Sequence, residues 1–162
     1  MLLSLGFAQA MAAADELPRE AVLPLALATK AAAAAQEKCR QDGYRVAVAV
    51  VDRAGILRAL VRGDGAAPHA VDSSTKKAYT AASLRRPTGE LAKMIAENPG
   101  AQGLRDINDK VIFLGGGLPI DMGGEIVGGI GVGGAPGGHL DEACAQAGLD
   151  SIGAAPKVPA AK

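Results

Sequence analysis

A short stretch in the middle of the sequence combines a flexible loop, an imidazole and several charged groups. Its paired glycines, Gly63 and Gly65, allow the backbone to approach a ligand closely. The imidazole can ligate iron, and the lysines that follow it can neutralise the carboxylates of a bound anion. We therefore predict a small-molecule site formed by Arg62, Asp64, His69, Lys76 and Lys77. The alternative is a solvated loop followed by a capped helix whose lysines face water.

A second candidate metal ligand is His139, at the predicted start of the last helix. The sequence contains only two histidines and two cysteines, and Cys39 and Cys144 are far apart in the chain. Structural zinc sites need four ligands, commonly with cysteines paired at short spacing. The sequence therefore does not favour a closed zinc site. A single histidine such as His69 or His139 is better suited to an axial position on iron.

Two further motifs resemble catalytic or nucleotide-binding signatures. Residues 73–77 contain Ser-x-x-Lys twice, which on a helix places a hydroxyl one turn from an amine, as in acyl-transferring serine hydrolases. The partner motifs of those enzymes are absent from the sequence. Residues 129–134 satisfy Gly-x-Gly-x-x-Gly, but the helix and further strand of a dinucleotide fold do not follow. We interpret the first motif as a helix cap beside solvated lysines and the second as the end of a glycine-rich strand.

The composition limits both the size of the fold and the kind of partner. A chain of 162 residues suits a single domain. Its 17 Lys and Arg balance 17 Asp and Glu, and it has two Tyr, two Phe and no Trp. Such a chain lacks the positive charge and the stacking rings that nucleic acid requires. A core of Ala, Val, Ile and Leu leaves little volume for a deep pocket, so we expect a ligand on a rim or between subunits.

The elements that must position these residues are helices and short strands, which predicts an α+β fold. Helices are expected at 24–41, at 72–84, after Thr88 and at 140–147, and strands at 45–51, 56–62, 111–114, 118–122 and 125–132. The first two strands should form a hairpin and the last three a meander. The second helix should be capped by Asp72 or Ser73, so that its first amides face an anion.

Glycine is concentrated towards the end of the chain. Between Gly115 and Gly138 there are 12 of the 22 glycines. Turns alone do not need so many, so we expect the backbone to pass close to a ligand or to another chain there. With a net charge of zero the chain has little self-repulsion. These features together predict a homo-oligomer.

The two ends of the chain bear on localisation. Residues 1–14 are apolar and end in small residues, as before a signal-peptide cleavage site, although the positive charge usual at the start is missing. The stretch is too short to span a bilayer, so no membrane span is expected. We predict a signal-peptide remnant at 1–14, the folded domain at 15–152 and a disordered tail at 153–162, in a periplasmic or secreted protein. After export Cys39 and Cys144 would form a disulfide, whereas in the cytosol they would be buried thiols.

The order of several short motifs resembles one protein family. They are Val-Ala-Val-Val-Asp-Arg-Ala-Gly at 48–55, Arg-Gly-Asp-Gly-Ala at 62–66, Lys-Ala-Tyr-Thr-Ala at 77–81, Arg-Pro-Thr at 86–88, Gly-Gly-Leu-Pro-Ile at 116–120 and Val-Gly-Gly-Ile-Gly-Val at 127–132. This set is similar to the GlcG/HbpS family, also called the haem-degrading or DUF336 domain, from about residue 24 to residue 152. The resemblance implies a PAS-like or profilin-like antiparallel sheet of about five strands flanked by helices, assembled into dimers or octamers. It also implies haem as the cofactor, and Thr80 and Thr88 match family threonines that are candidate ligands.

Three functions agree with this resemblance. The first is an exported haem-binding or tetrapyrrole-binding protein, with weak haem degradation. The second is an accessory protein of glycolate-type metabolism, in which Arg62, Lys76 and the glycine-rich backbone bind a small carboxylate. The third is a structural oligomer without catalysis. The sequence leaves open whether the protein is an enzyme.

Overall fold

The computed structural model describes residues 17–154. The predicted signal-peptide remnant at 1–14 lies outside the described residues, as do residues 155–162 of the tail predicted at 153–162; Ala154, at the start of that tail, is buried in the core. The helices are α1 (Leu25–Gln41), α2 (Pro68–Leu84), α3 (Thr88–Glu97) and α4 (Gly138–Ser151), with a 3₁₀ helix at Pro99–Asp106; the strands are β1 (Ala47–Asp52), β2 (Leu57–Arg62), β3 (Gly117–Met122) and β4 (Glu125–Gly133). Among these helices, none is both long and apolar enough to cross a membrane.

The strands form one antiparallel sheet in the order β2-β1-β4-β3. This confirms the α+β class, with four strands in the described chain where about five were expected. Residues 111–114 are not a strand. The Ile112 amide donates a hydrogen bond to the Thr80 hydroxyl (2.9 Å), a side-chain acceptor on α2, rather than to a neighbouring strand. The predicted β1–β2 hairpin is confirmed, and of the predicted three-stranded meander the β3–β4 hairpin forms; the two hairpins meet through pairing of β1 with β4.

One face of the sheet is covered by α1 and α4. Alternate apolar side chains of the central strands point to this side, and small residues of α1 pack against them; they include Val48, Val50, Ile130, Val132, Ala28, Ala31 and Ala35. Cys39 of α1 and Cys144 of α4 are fully buried and form the predicted disulfide, with their Cα atoms 5.5 Å apart. The two helices are therefore joined covalently as well as by packing.

The other face of the sheet is covered by α2, which lies directly on the glycines of β4. A Cβ atom added to Gly129 would collide with the carbonyl of Ala78, and one added to Gly131 with the carbonyl of Ser74. Ala78 and Ala82 pack beside these glycines, on the small side chains of β1. The glycine-rich segment was expected to approach a ligand or another chain. In β4 the glycines instead allow close packing of a helix of the same chain.

Helix α2 begins at Pro68, four residues before its predicted start. Proline is favoured at the first helical position, where its fixed φ suits a helix and its missing N–H costs nothing. The N-cap is Ala67, with no side-chain cap. Asp72 and Ser73 are therefore inside the helix, and the expectation that amides from Asp72 to Thr75 are free to bind an anion is wrong.

Candidate functional site

A surface cleft of about 320 Å³ lies beside the exposed face of α2. Residues three and four apart on a helix share one face, and this spacing brings Asp72, Lys76 and Tyr79 together, with Thr75 next to them. Two other parts of the chain complete the lining, Gly55 from the β1–β2 turn and Lys110 from the segment before β3. The cleft is therefore built by three segments that are distant in sequence.

The ring of Tyr79 contacts both of the other segments that line this cleft. One edge of the ring packs against Gly55, where an added Cβ would lie 2.6 Å from two ring carbons, so only glycine fits beside this edge. Gly55 also has a φ of +76°, in the region that favours glycine. The ammonium of Lys110 lies over the ring, 5.6 Å from its centroid. The ring therefore contacts a tight turn at one edge and a cation over one face.

Lys77 does not line this cleft. Its side chain is buried, and its Nζ donates to Asp141 Oδ2 (2.7 Å) and to the Val132 carbonyl (2.9 Å). Asp141 Oδ1 in turn accepts from the Ala135 amide (3.0 Å). Burial raises the pKa of Asp141, while the Lys77 ammonium opposes that rise. The expectation that both lysines face solvent is therefore wrong for Lys77, which joins α2 to β4 and α4.

The two threonines suggested by the family resemblance are fully buried. Thr80 Oγ1 donates to the Lys76 carbonyl (2.8 Å) and accepts from the Ile112 amide. Thr88 was expected to lie just before α3; it is instead the first residue of that helix, with Pro87 as the N-cap, and its hydroxyl accepts from the Gly117 amide (2.8 Å). Both hydroxyls hold backbone segments in place in this conformation.

Arg62 and Asp64 lie away from the Lys76 cleft. The Arg62 guanidinium donates twice to the Ala66 carbonyl, at 3.1 and 2.6 Å, and so closes the loop that carries Asp64. Asp64 is exposed and lines a separate opening of about 240 Å³ together with Arg40 and Arg45. The residues predicted to form one cluster are therefore separated: Lys76 lines one opening, Asp64 lines another, and Lys77 is buried.

Both histidines are exposed at the starts of helices. His69 is the second residue of α2, on the same face as Lys76, and the helical rise places it about 10 Å from Lys76 along the axis. His139 is the second residue of α4 and lines a cleft of about 330 Å³ with Glu142 and Gln146. Burial raises the pKa of Glu142, although its carboxylate accepts from the Gly116 amide. Within residues 17–154, no three His, Cys, Asp or Glu side chains are placed to hold a metal ion together.

The serines of the Ser-x-x-Lys motifs bond to the backbone of their own helix. Ser73 Oγ donates to the Ala70 carbonyl (3.3 Å) and Ser74 Oγ to the Val71 carbonyl (3.0 Å). Lys77, the amine of the second motif, is engaged with Asp141. This arrangement does not form a hydroxyl–amine pair at the second motif.

Sequence reasoning found Lys76 but missed the other groups of the cleft. Tyr79 follows Lys76 by three residues, so helical spacing alone could have placed it on the same face. Lys110 has no such signal, because it comes from an irregular segment that only the fold brings to Tyr79.

Comparisons with known proteins agree with this fold. The family model described as "Haem degrading protein HbpS-like" matches residues 23–150. Protein GlcG of Escherichia coli (strain K12) is 35% identical over 111 residues, covering 68% of this chain and 81% of GlcG. A double mutant of HbpS from Streptomyces reticuli has a structure with a TM-score of 0.79 and 49% identity, covering 86% of this chain and 92% of that chain. The structure of a PduOC:heme complex has a TM-score of 0.77 and 27% identity, covering 84% of this chain and 99% of that chain.

The matched region runs from two residues before α1 to within α4 and so includes every strand of the sheet and the whole of α2. The ordered motifs of the sequence lie inside the same limits. This chain belongs to the HbpS-like family of haem-degrading proteins, which includes relatives of the GlcG type.

Proposed function

We propose that this protein binds haem at the cleft beside α2, with His69 as the iron ligand. One observation carries the proposal. An exposed imidazole lies on one face of α2, and two turns along the same face there is an open cleft lined by two lysines. Membership of a haem-degrading family and the similarity to a PduOC:heme complex support it. Haem would supply the redox chemistry of its iron when bound.

The residues of the cleft fit the chemistry of haem. Lys76 and Lys110 can neutralise propionate carboxylates, and the edge of the Tyr79 ring offers apolar contact. The volume of the cleft, about 320 Å³, is at the lower end of the roughly 300–1,000 Å³ that ligand sites occupy. Part of a tetrapyrrole would therefore remain outside the cleft, in water or against another copy of the chain. An exposed iron of this kind agrees with weak haem degradation.

The test is a haem titration followed by visible spectroscopy. We expect a Soret band in the wild-type protein and a shifted or absent band in His69→Ala. The thermal transition of His69→Ala should stay nearly unchanged, because an exposed residue contributes little to stability. His139→Ala is the matched control, since it removes the other exposed imidazole. An unchanged spectrum in His69→Ala would remove His69 as the ligand, and a change in His139→Ala or Thr80→Ala would move the site.

A second candidate function is the binding of a small carboxylic acid, in keeping with the relationship to GlcG. The modest volume of the cleft and its two lysines favour it. In this case Lys76 would act with Lys110, rather than with Arg62, whose guanidinium is bonded to the Ala66 carbonyl. Haem binding remains the first proposal, because it also uses the imidazole of His69.

We also propose that the protein is exported and assembles into a homo-oligomer. The buried disulfide supports an oxidising compartment. Exposed apolar side chains at the edge of the sheet, Ile56, Leu57 and Leu60, support self-association. Light scattering should give a mass above that of one chain at micromolar concentration, and a monomer alone would overturn the assembly.

A further inference from the structure

The charge of the cleft beside α2 differs from that of the chain as a whole. The sequence is neutral, but the cleft is lined by two ammonium groups, Lys76 and Lys110, against one carboxylate, Asp72. Within residues 17–154 neither lysine has a carboxylate oxygen within 4 Å of its Nζ, whereas Lys38 and Lys77 both do. The two cations are therefore available to a ligand from solution.

Among residues 17–154, Lys110 has a weak partner, the Tyr79 ring. Its ammonium lies over the Tyr79 ring, and at an exposed position such a cation–π contact is weaker than a charge-assisted hydrogen bond. A carboxylate that enters the cleft can therefore draw Lys110 off the ring. Gly55 contacts the ring along its Cδ2–Cε2 edge, and this contact does not depend on the lysine.

We propose that Lys76 and Lys110 together recognise a carboxylate, and that Lys110 leaves the face of Tyr79 to bind it. This inference rests on the proposed haem binding, because it makes the propionates the groups by which haem is selected. The same chemistry would serve a free small hydroxy acid. The carboxylate is thus the shared recognition element, and the experiment must separate its two sources.

The first arm compares haem with haem dimethyl ester, which keeps the ring and iron but has no free carboxylate. We expect the wild-type protein to bind haem about tenfold or more tightly than the ester, as for the loss of one charge-assisted contact or more. Lys76→Met and Lys110→Met should each reduce this preference to about threefold or less. Lys93→Met should keep it in full, because Lys93 is an exposed lysine of α3, away from the cleft.

Equal affinities for haem and its ester, together with no response to glycolate in the second arm, would overturn the inference and leave haem binding intact. If neither compound binds, the proposed haem binding fails as well. The two failures are thus distinguishable in one set of titrations. Preference for haem that persists in both lysine variants would also overturn the inference, because the carboxylate would then be recognised elsewhere.

The second arm uses glycolate and the fluorescence of Tyr79. The chain has two tyrosines and no tryptophan, so Tyr44→Phe leaves Tyr79 as its only tyrosine fluorophore. We expect saturable glycolate binding to change this fluorescence in Tyr44→Phe and not in Tyr44→Phe/Lys110→Met. If glycolate changes the fluorescence in this way and the protein does not bind haem more tightly than its ester, the cleft is a site for free acids. No response to glycolate, together with a preference for haem, would assign it to propionate.

Discussion

Lys77 and Asp141 form a buried ion pair, with 5% and 4% of their side-chain surfaces exposed. Desolvation of two such charges can cost more than their attraction returns, so the intact pair is weak evidence of stability. Removal of one partner is a different case, since it leaves the other charge buried alone. The pair therefore acts mainly as a constraint on how α2, β4 and α4 fit together.

We predict that Lys77→Met and Asp141→Asn will each lower the free energy of unfolding by about 3 to 5 kcal/mol. The double variant should lose much less than the sum of the two, because it contains no unpaired buried charge. Urea unfolding of all four proteins measures this cycle. Lys93→Met is the control: its Nζ lies 3.9 Å from Glu97 on an exposed surface, and its loss should cost less than about 1 kcal/mol. Additive effects in the double variant would contradict the coupling.

The burial of Lys77 was missed because lysine is almost always at least partly solvated. The sequence did contain a signal, since Lys77 follows Ser74 by three residues and precedes Ala81 by four, and both of these lie on the buried face. Its partner was not predictable in the same way. Asp141 is far away in sequence, and an acidic residue in the first turn of a helix is ordinarily explained by its favourable interaction with the helix dipole.

At the scale of elements, the contact between α2 and β4 positions the candidate site. The axis of α2 lies as close to the sheet as it does because Gly129 and Gly131 present no side chain to it. Lys76 and Tyr79 stand on the opposite, exposed part of the same helix. A change in the height of α2 above β4 would therefore move both residues relative to Gly55 and Lys110.

We predict that Gly131→Ala will destabilise the fold by about 1 to 3 kcal/mol or more, because its methyl group would overlap the Ser74 carbonyl and no flexible side chain can yield. Thermal unfolding measures the loss. The matched control is Gly100→Ala in the 3₁₀ helix, where an added Cβ meets nothing within 4 Å and φ is not positive. The control should change stability by no more than about 0.5 kcal/mol. A Gly131→Ala protein as stable as the control would mean that α2 can move away from β4 at little cost.

The order of elements was predictable because each is short and has clear local chemistry. Strand β2 ends at Arg62 and helix α1 ends at Gln41, both as expected from the sequence. Errors came where a local signal had two meanings. Pro68 was treated as part of a loop although proline also starts helices, and Val111 to Leu114 was treated as a strand although its backbone bonds to a threonine side chain.

At the scale of the whole molecule, α1 and α4 stand at opposite ends of the described chain and close the fold between them. Their contact is tight, since a Cβ added to Gly148 of α4 would lie 2.7 Å from the Ala31 carbonyl of α1. The disulfide between Cys39 and Cys144 spans 105 residues and so encloses the whole sheet, α2 and α3. The sequence predicted this pair for an exported protein, because it contains only two cysteines, with buried thiols as the cytosolic alternative. The tight helix contact itself was not predictable, because it depends on how the sheet brings the two helices together.

We predict that the Cys39→Ala/Cys144→Ala variant will lose about 3 to 5 kcal/mol of unfolding free energy, because so long a closed loop restricts the unfolded chain strongly. Chemical unfolding with and without reductant measures this loss. Reductant should lower the stability of the wild-type protein once its unfolding exposes the bond, and it should leave the alanine variant unchanged, which separates the bond from the packing of its sulfur atoms. Intact-mass analysis of protein made in an oxidising compartment should show the bonded form. Two free thiols in that protein, or the same response to reductant in both proteins, would contradict a stabilising disulfide and remove its support for export.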